Sequence, residues 1–133
     1  MKRGILTFGF AVLAAAILNG AGFDYLKAVN FESFIKTASE NLEKLFMDDR
    51  LEFSGEGRKI FIAAWKVCQD NKSYPSHSQI YYLVVASKID VLSKAENDLD
   101  TLVYDGLVKF KSVEDRQKFR EAVKSIRAAV RCL

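Results

Sequence analysis

The stretch from Ser78 to Leu92, SQIYYLVVASKIDVL, carries apolar side chains in almost every direction around a helix. Its apolar residues recur at spacings of three and four positions, which is the period of an α-helix. A helix of this kind is normally buried on most of its sides. The stretch therefore predicts a central helix around which the rest of the chain packs.

Four more segments with helical periodicity surround this stretch. Asn30 is the predicted N-cap of the first helix, with 23–29 as either an extension of that helix or a lead-in, and Asn97 or Asp98 is the predicted N-cap of the fourth. Ser112 and Asp115 have the spacing of a capping box. Residues 51–57 are rich in turn residues and are predicted to form a loop. No internal repeat is visible. The expected fold is all-α, a five-helix antiparallel bundle, with helices over about 30–46, 56–69, 78–92, 98–110 and 112–130.

The N-terminus has the three-part layout of a secretory signal peptide. Two basic residues precede an uncharged run over 4–18, and small residues follow at 20–22. We predict a signal peptide over 1–22 and one helical domain over 23–133. The run is shorter than the ~20 residues of a membrane span, and an uncleaved anchor is the alternative. In either case the expected location is periplasmic or secreted.

The two cysteines, Cys68 and Cys132, are predicted to form a disulfide in an oxidising compartment. Closing the loop between them would stabilise the fold by about 4 kcal/mol through the entropy of the unfolded chain. Two buried free thiols are the alternative.

The overall charge does not identify a partner, and it makes nucleic acid the weaker candidate. Formal net charge is +3 for the whole chain, and a near-neutral exported protein is a poor match for a phosphate backbone. The sequence contains one histidine and none of the usual zinc or nucleophile motifs. We therefore expect a non-enzymatic protein with no metal and no cofactor.

Basic residues on the last predicted helix form its most specific charged feature. They follow steps of four, four, three and four, which places them along one helix face. This face is either the ordinary polar side of an amphipathic helix or a surface for an acidic partner: a protein, a membrane, or the acidic first helix of a second copy. A homodimer is therefore left open. The row consists of Arg116, Arg120, Lys124, Arg127 and Arg131.

Two predicted loops complete the candidate partner-binding surface. The loop after the first helix combines three carboxylates with an aromatic residue, and the loop that contains Pro75 adds an aromatic residue and the histidine. Aromatic side chains exposed on loops are typical anchors in protein interfaces. The candidates are Asp48, Asp49, Glu52, Phe53, Tyr74 and His77.

Two other functions compete with protein binding. The first is a carrier that holds a lipid or other apolar ligand inside the bundle, with Trp65, Tyr81 and Tyr82 as its lining. The second is a hydrolase of cell-wall glycosidic bonds that uses the carboxylates of Asp48 and Asp49. Adjacent carboxylates at the end of a helix are more often simply solvated, so the hydrolase is the weaker hypothesis.

A signal peptide, about 110 helical residues and one cysteine pair resemble the small periplasmic immunity proteins with which bacteria block toxins of rival cells. The segment GLVKFKSVEDRQKFREAV, over 106–123, is also loosely similar to a helix-loop-helix of small secreted bacterial domains. The first resemblance implies an exported protein that binds a toxin and occludes its active cleft. It assigns no role to any individual residue.

Overall fold

The computed structural model describes residues 25–75 and 81–133, and the predicted signal peptide and His77 lie outside these ranges. The described chain is mostly helical, so the all-α class holds in outline. It contains four helices instead of five, together with a two-stranded sheet. The elements are α1 Tyr25–Met47, β1 Leu51–Phe53, α2 Gly57–Asp70, α3 Tyr81–Tyr104, β2 Val108–Phe110 and α4 Val113–Arg131.

The predicted third and fourth helices are one continuous helix, α3. Asp98, the predicted N-cap, lies inside this helix and accepts a hydrogen bond from Lys94 at 2.8 Å. Such pairs one turn apart support a helix, so a polar patch on its exposed side does not end it. Gly106 ends it instead, because its φ of +69° is in the left-handed region that favours glycine.

The two strands occupy segments that were predicted as loop and as helix. β1 and β2 pair in an antiparallel register in which Glu52 lies opposite Lys109. Three residues are too few to show a period of two, so the sequence pattern does not reveal them. The strands join the turn after α1 to the turn after α3.

Helix starts were predicted with mixed success. The capping interaction at Ser112 is confirmed, since its Oγ accepts a hydrogen bond from the Asp115 N–H at 3.1 Å. The predicted cap at Asn30 is wrong because α1 is already helical at Tyr25. α2 begins after Glu56 without a side-chain cap.

The core is centred on the long first helix and the last helix, which pack against each other more extensively than any other pair. The predicted central position of 78–92 is wrong for the first turns of α3, where Tyr82 is 81% and Leu83 is 72% exposed. These turns lie beyond the end of α2, since Lys88 already contacts Asn71 just after that helix. The largest fully buried side chains are Phe31, Phe61, Phe119, Ile35, Leu42, Leu45, Leu92, Leu99, Leu102 and Ile126.

The predicted disulfide is not formed. Cys68 and Cys132 form no disulfide, and they are not close to each other. Cys68 is buried on α2, and burial raises the pKa of its thiol to about 12. Cys132 is half-buried, and its Sγ lies 3.4 Å from the carbonyl oxygen of Ala128. The alternative of two buried thiols fits Cys68 and not the half-buried Cys132.

The described chain consists of two helix–strand–helix units of the same order. The first unit is α1, β1 and α2, and the second is α3, β2 and α4. Each long helix packs mainly on the shorter helix of the other unit, α1 on α4 and α3 on α2. The two strands pair antiparallel at the centre, so the units are related by an approximate two-fold axis.

The turn after each long helix has the same hydrogen bonds in both units. Asp48 N–H donates to Lys44 O at 3.0 Å, and 57 positions later Asp105 N–H donates to Thr101 O at 2.8 Å. The next residue has a positive φ in both units, and only in the second unit is it a glycine. Three further pairs of backbone hydrogen bonds repeat at this offset, each written from the N–H donor to the carbonyl acceptor. Asp49 to Phe46 corresponds to Gly106 to Val103, and Arg50 to Leu45 corresponds to Leu107 to Leu102. Ser54 to Leu107 corresponds to Lys111 to Arg50 across the strand pair.

Buried positions repeat as well. The offset is 57 positions in the long helices and 58 in the shorter ones, where Phe61 corresponds to Phe119. These two rings stack across the axis with centroids 6.3 Å apart. Matching buried pairs are Ile35 and Leu92, Ala38 and Ala95, Leu42 and Leu99, Leu45 and Leu102, Ala64 and Ala122, and Cys68 and Ile126. The chain therefore contains an internal repeat that the sequence alone did not reveal.

Candidate binding groove

A groove of about 690 Å³ opens in the second unit between the end of α3, strand β2 and α4. Its floor is apolar. Half-buried Phe110 and Val103 supply the accessible part, while Phe119 and Val123 are buried. Phe110 and Phe119 meet edge to face with centroids 5.2 Å apart. Tyr104 stands at the rim and is 91% exposed. The groove thus places water-accessible apolar surface beneath an exposed aromatic ring.

Four residues of the predicted basic row line this groove: Arg116, Arg120, Lys124 and Arg127. The predicted row therefore lies along one wall of the groove. The opposite wall and the floor come from α3 and β2, which the predicted row did not include.

The cations along the groove differ in their partners. Arg127, at one end, donates to Glu96 at 2.8 Å and lies 3.7 Å from Asp100, and the hydrogen bond to Glu96 raises the pKa of its guanidinium. Among the described residues, Arg120 and Lys124 make no ion pair. The middle of the groove therefore carries two positive charges that are not neutralised within the described fold.

The groove exists because two large residues of the first unit are replaced in the second. Phe46 and Trp65 contact each other at the corresponding place in the first unit, with centroids 5.8 Å apart. Their counterparts are Val103 and Val123, which leave that volume open. In the sequence, this difference consists of two aromatic residues in one half at positions where the other half has valines. It is visible only once the two halves are aligned.

The acidic candidates lie near the start of α4, outside this groove. Asp48, Asp49 and Glu52 are all exposed. Asp49 lies 3.5 Å from the Lys111 ammonium, and Asp48 borders a small depression beside Asp115. The structure therefore brings the four basic candidates together and leaves the acidic ones as a separate surface.

The two aromatic loop candidates are packed inside the fold. Phe53 lies 5.3 Å from Phe61, and the Tyr74 ring lies 5.7 Å from Phe31 in an edge-to-face contact. Tyr74 also donates its backbone N–H to Glu32 at 2.9 Å. Both side chains are half-buried and support the core, so they are not exposed anchors.

The lining predicted for a carrier is dispersed. Trp65 packs on Phe46 in the first unit, and its Nε1 is buried without a hydrogen-bond partner in the described part of the chain. Tyr81 and Tyr82 contact each other near the start of α3, where Tyr82 is exposed. None of the three lines the groove.

Residues 25–75 and 81–133 contain no group of three or more His, Cys, Asp or Glu that could hold a metal ion. None of the helices in these ranges is long and apolar enough to cross a membrane. No family model matches the chain, and neither a curated protein nor a solved structure matches it.

Proposed function

We propose that this chain is a non-enzymatic binding domain that takes an acidic segment of another protein into the groove of its second unit. One observation carries the proposal. Arg120 and Lys124 stand without ion-pair partners in the described fold above an apolar floor. A segment that combines carboxylates with an apolar side chain would satisfy both features at once.

The energetics favour this occupant. Burying apolar surface of the floor contributes roughly 25 cal/mol per Å², and the basic wall speeds association with an acidic partner and selects against basic ones. Asp100, the carboxylate that lines the groove, is 3.7 Å from Arg127 and does not neutralise the middle cations.

The more specific form of the proposal is an exported immunity protein that blocks a toxin by occlusion. The signal-peptide pattern over 1–22 supports a periplasmic or secreted location. The exposed carboxylates of Asp48, Asp49 and Glu52 would supply a second contact for a basic rim around the toxin's cleft. Nucleic acid does not fit a chain with 20 basic and 17 acidic residues.

The second candidate function is a carrier of a small molecule that has an apolar body and a negatively charged group. The groove volume of about 690 Å³ lies within the range of small-molecule sites. Native mass spectrometry of the full chain from its own cells separates the two functions. A bound small molecule would support the carrier, whereas a bound second polypeptide would support the protein-binding domain.

A charge-reversed variant tests the groove itself. Arg120→Glu with Lys124→Glu should remove the second polypeptide from the native mass spectrum, because both changes repel an acidic segment. The control is Lys59→Glu with Lys66→Glu, which makes the same charge change on exposed positions of α2. Equal loss of the partner in both variants, or retention in both, would reject the groove as the binding site.

A further inference from the structure

We infer that the partner inserts an aromatic side chain, tryptophan or phenylalanine with a neighbouring carboxylate, into the place that Phe46 and Trp65 fill in the first unit. The inference rests on the proposed function and specifies the partner's chemistry. The first unit shows, within the same chain, what a filled version of this site looks like.

The floors of the two sites are alike. In the first unit the Phe53 and Phe61 rings lie 5.3 Å apart, and in the second unit Phe110 and Phe119 lie 5.2 Å apart. The two phenylalanines of each floor come from a strand and from the first turns of the shorter helix. A ring that enters the second site would meet Phe110, which is half-buried, because Phe119 is buried there as Phe61 is in the first unit.

The side chains above the floors differ in size. Phe46 stacks on Phe61 with centroids 5.8 Å apart, and Trp65 lies against Phe46. Val103 and Val123 stand at the matching positions of the second unit and border the open groove. Two aromatic rings are thus replaced by two isopropyl groups, and the missing volume is planar and apolar.

An arginine in each unit shows the same difference. The Arg58 guanidinium lies 4.9 Å from the centroid of Phe46. Its counterpart Arg116 has no ring at position 103 and lies 5.9 Å from Phe110. An aromatic guest would give Arg116 the nearby ring face that Arg58 already has, and such cation–π contacts favour aromatic over aliphatic guests.

The charge difference between the units is the reason to expect a carboxylate beside the aromatic ring of the partner. Exposed Ile62 of the first unit corresponds to Arg120 of the second, while Lys66 corresponds to Lys124. The second unit therefore has one more cation than the first along the groove that lacks the two aromatic side chains. A guest with a carboxylate next to its ring would meet both Arg120 and Lys124.

Synthetic peptides test this inference on the full chain. One acidic peptide carries a central tryptophan between aspartates, a second has alanine in place of tryptophan, and a third has asparagines in place of the aspartates. Isothermal titration should give the first peptide an affinity at least about tenfold above each of the others.

The outcomes separate the two proposals. If the tryptophan and alanine peptides bind equally, the aromatic guest is rejected and the acidic binding site stands. If neither acidic peptide binds, both proposals are rejected. If the tryptophan and asparagine peptides bind equally, the ring is recognised and the carboxylate is not, which rejects the acidic binding site.

The residues of the first unit define a variant that should close the groove. Val103→Phe with Val123→Trp installs the residues of the first unit and should abolish binding of the tryptophan peptide while thermal unfolding stays cooperative. Val113→Trp, at an exposed position outside the groove, is the matched control and should leave binding unchanged. A filled variant that folds and still binds would overturn the inference, and the single change Val103→Phe, at a half-buried position, repeats the test if the double variant misfolds.

Discussion

At the residue scale, the ion pair between Arg50 and Asp115 links the two units. The guanidinium donates to the carboxylate at 2.9 and 3.0 Å, and the Asp115 residue is buried. This hydrogen bond from Arg50 is the main cause of the lowered pKa of Asp115. Because the ionised form is favoured in the folded protein, the pair stabilises the fold only while Asp115 is charged.

The pH dependence of stability should reveal this pair. The contribution of Asp115 is fully present above the ordinary aspartate pKa of ~4 and is lost as the pH falls through its lowered value. Asp115→Asn should therefore lower the urea midpoint at pH 7 and make little difference at the acid end of the titration. Asp49→Asn, which removes an exposed ion pair with Lys111, is the control and should change neither midpoint.

The two thiols should differ strongly in reactivity. Cys68 is buried and its pKa is raised to about 12, so hardly any reactive thiolate forms at pH 8. Cys132 is half-buried near the end of the described chain. Brief alkylation of the folded protein followed by mass spectrometry should modify Cys132 at least about a hundredfold faster than Cys68. If the protein is not alkylated and is two hydrogens lighter than its reduced form, the two cysteines form a disulfide in solution and this prediction is wrong.

At the element scale, the turn after α3 shows what ends a helix in this fold. Gly106 has a φ of +69°, and a Cβ added there would meet nothing within 4 Å. Any penalty for a larger residue therefore comes from the backbone and not from crowding. The matching turn of the first unit tolerates Asp49 at φ 54°, which agrees with the ability of aspartate and asparagine to adopt this conformation.

Substitutions at Gly106 should follow backbone preference. Gly106→Ala should lower the free energy of unfolding by about 1 kcal/mol, because alanine is strained in the left-handed region. Gly106→Asn should lose clearly less. Chemical denaturation of both variants measures the difference, and an equal loss would point to a lost packing contact instead of backbone strain.

Elements with a long apolar period were predictable, and elements defined by single residues were not. The stripes on α1, α2 and α4 identified those helices, and the basic row of α4 lies along one wall of the groove. The strands escaped because Leu51–Phe53 and Val108–Phe110 are too short to show a period. The predicted helix start at Asn97 or Asp98 is wrong because polar residues on one side of a continuous helix have the same sequence pattern as a cap.

The floor of the groove was missed for a different reason. It depends on which residues of the two halves correspond, and few of the matching positions are identical. Phe53 and Phe110 match, as do Phe61 and Phe119, but one extra residue between them in the second unit breaks a simple alignment. Only the paired strands and the repeated turn hydrogen bonds make the correspondence plain.

At the scale of the whole molecule, each unit completes the core of the other. α1 packs mainly on α4, and α2 packs mainly on α3. A single unit would leave the apolar face of its long helix exposed to water, and that surface is the main source of folding free energy.

Separate halves should therefore fold only together. Fragments 1–75 and 76–133, expressed alone, should show little helical circular dichroism, and mixing them should restore the signal of the intact chain. Size-exclusion chromatography of the mixture should give a one-to-one complex. A fragment that is fully helical and monomeric alone would show that the units are independent domains.

The approximate two-fold axis has a further consequence for how the fold responds to dilution. Two-fold packing of identical units is the usual geometry of a homodimer, whose stability falls as its concentration falls. Here both units belong to one chain, so the partner of each is always present at a fixed effective concentration. The stability of the fold therefore does not fall when the protein is diluted, whereas binding of the proposed partner would obey mass action.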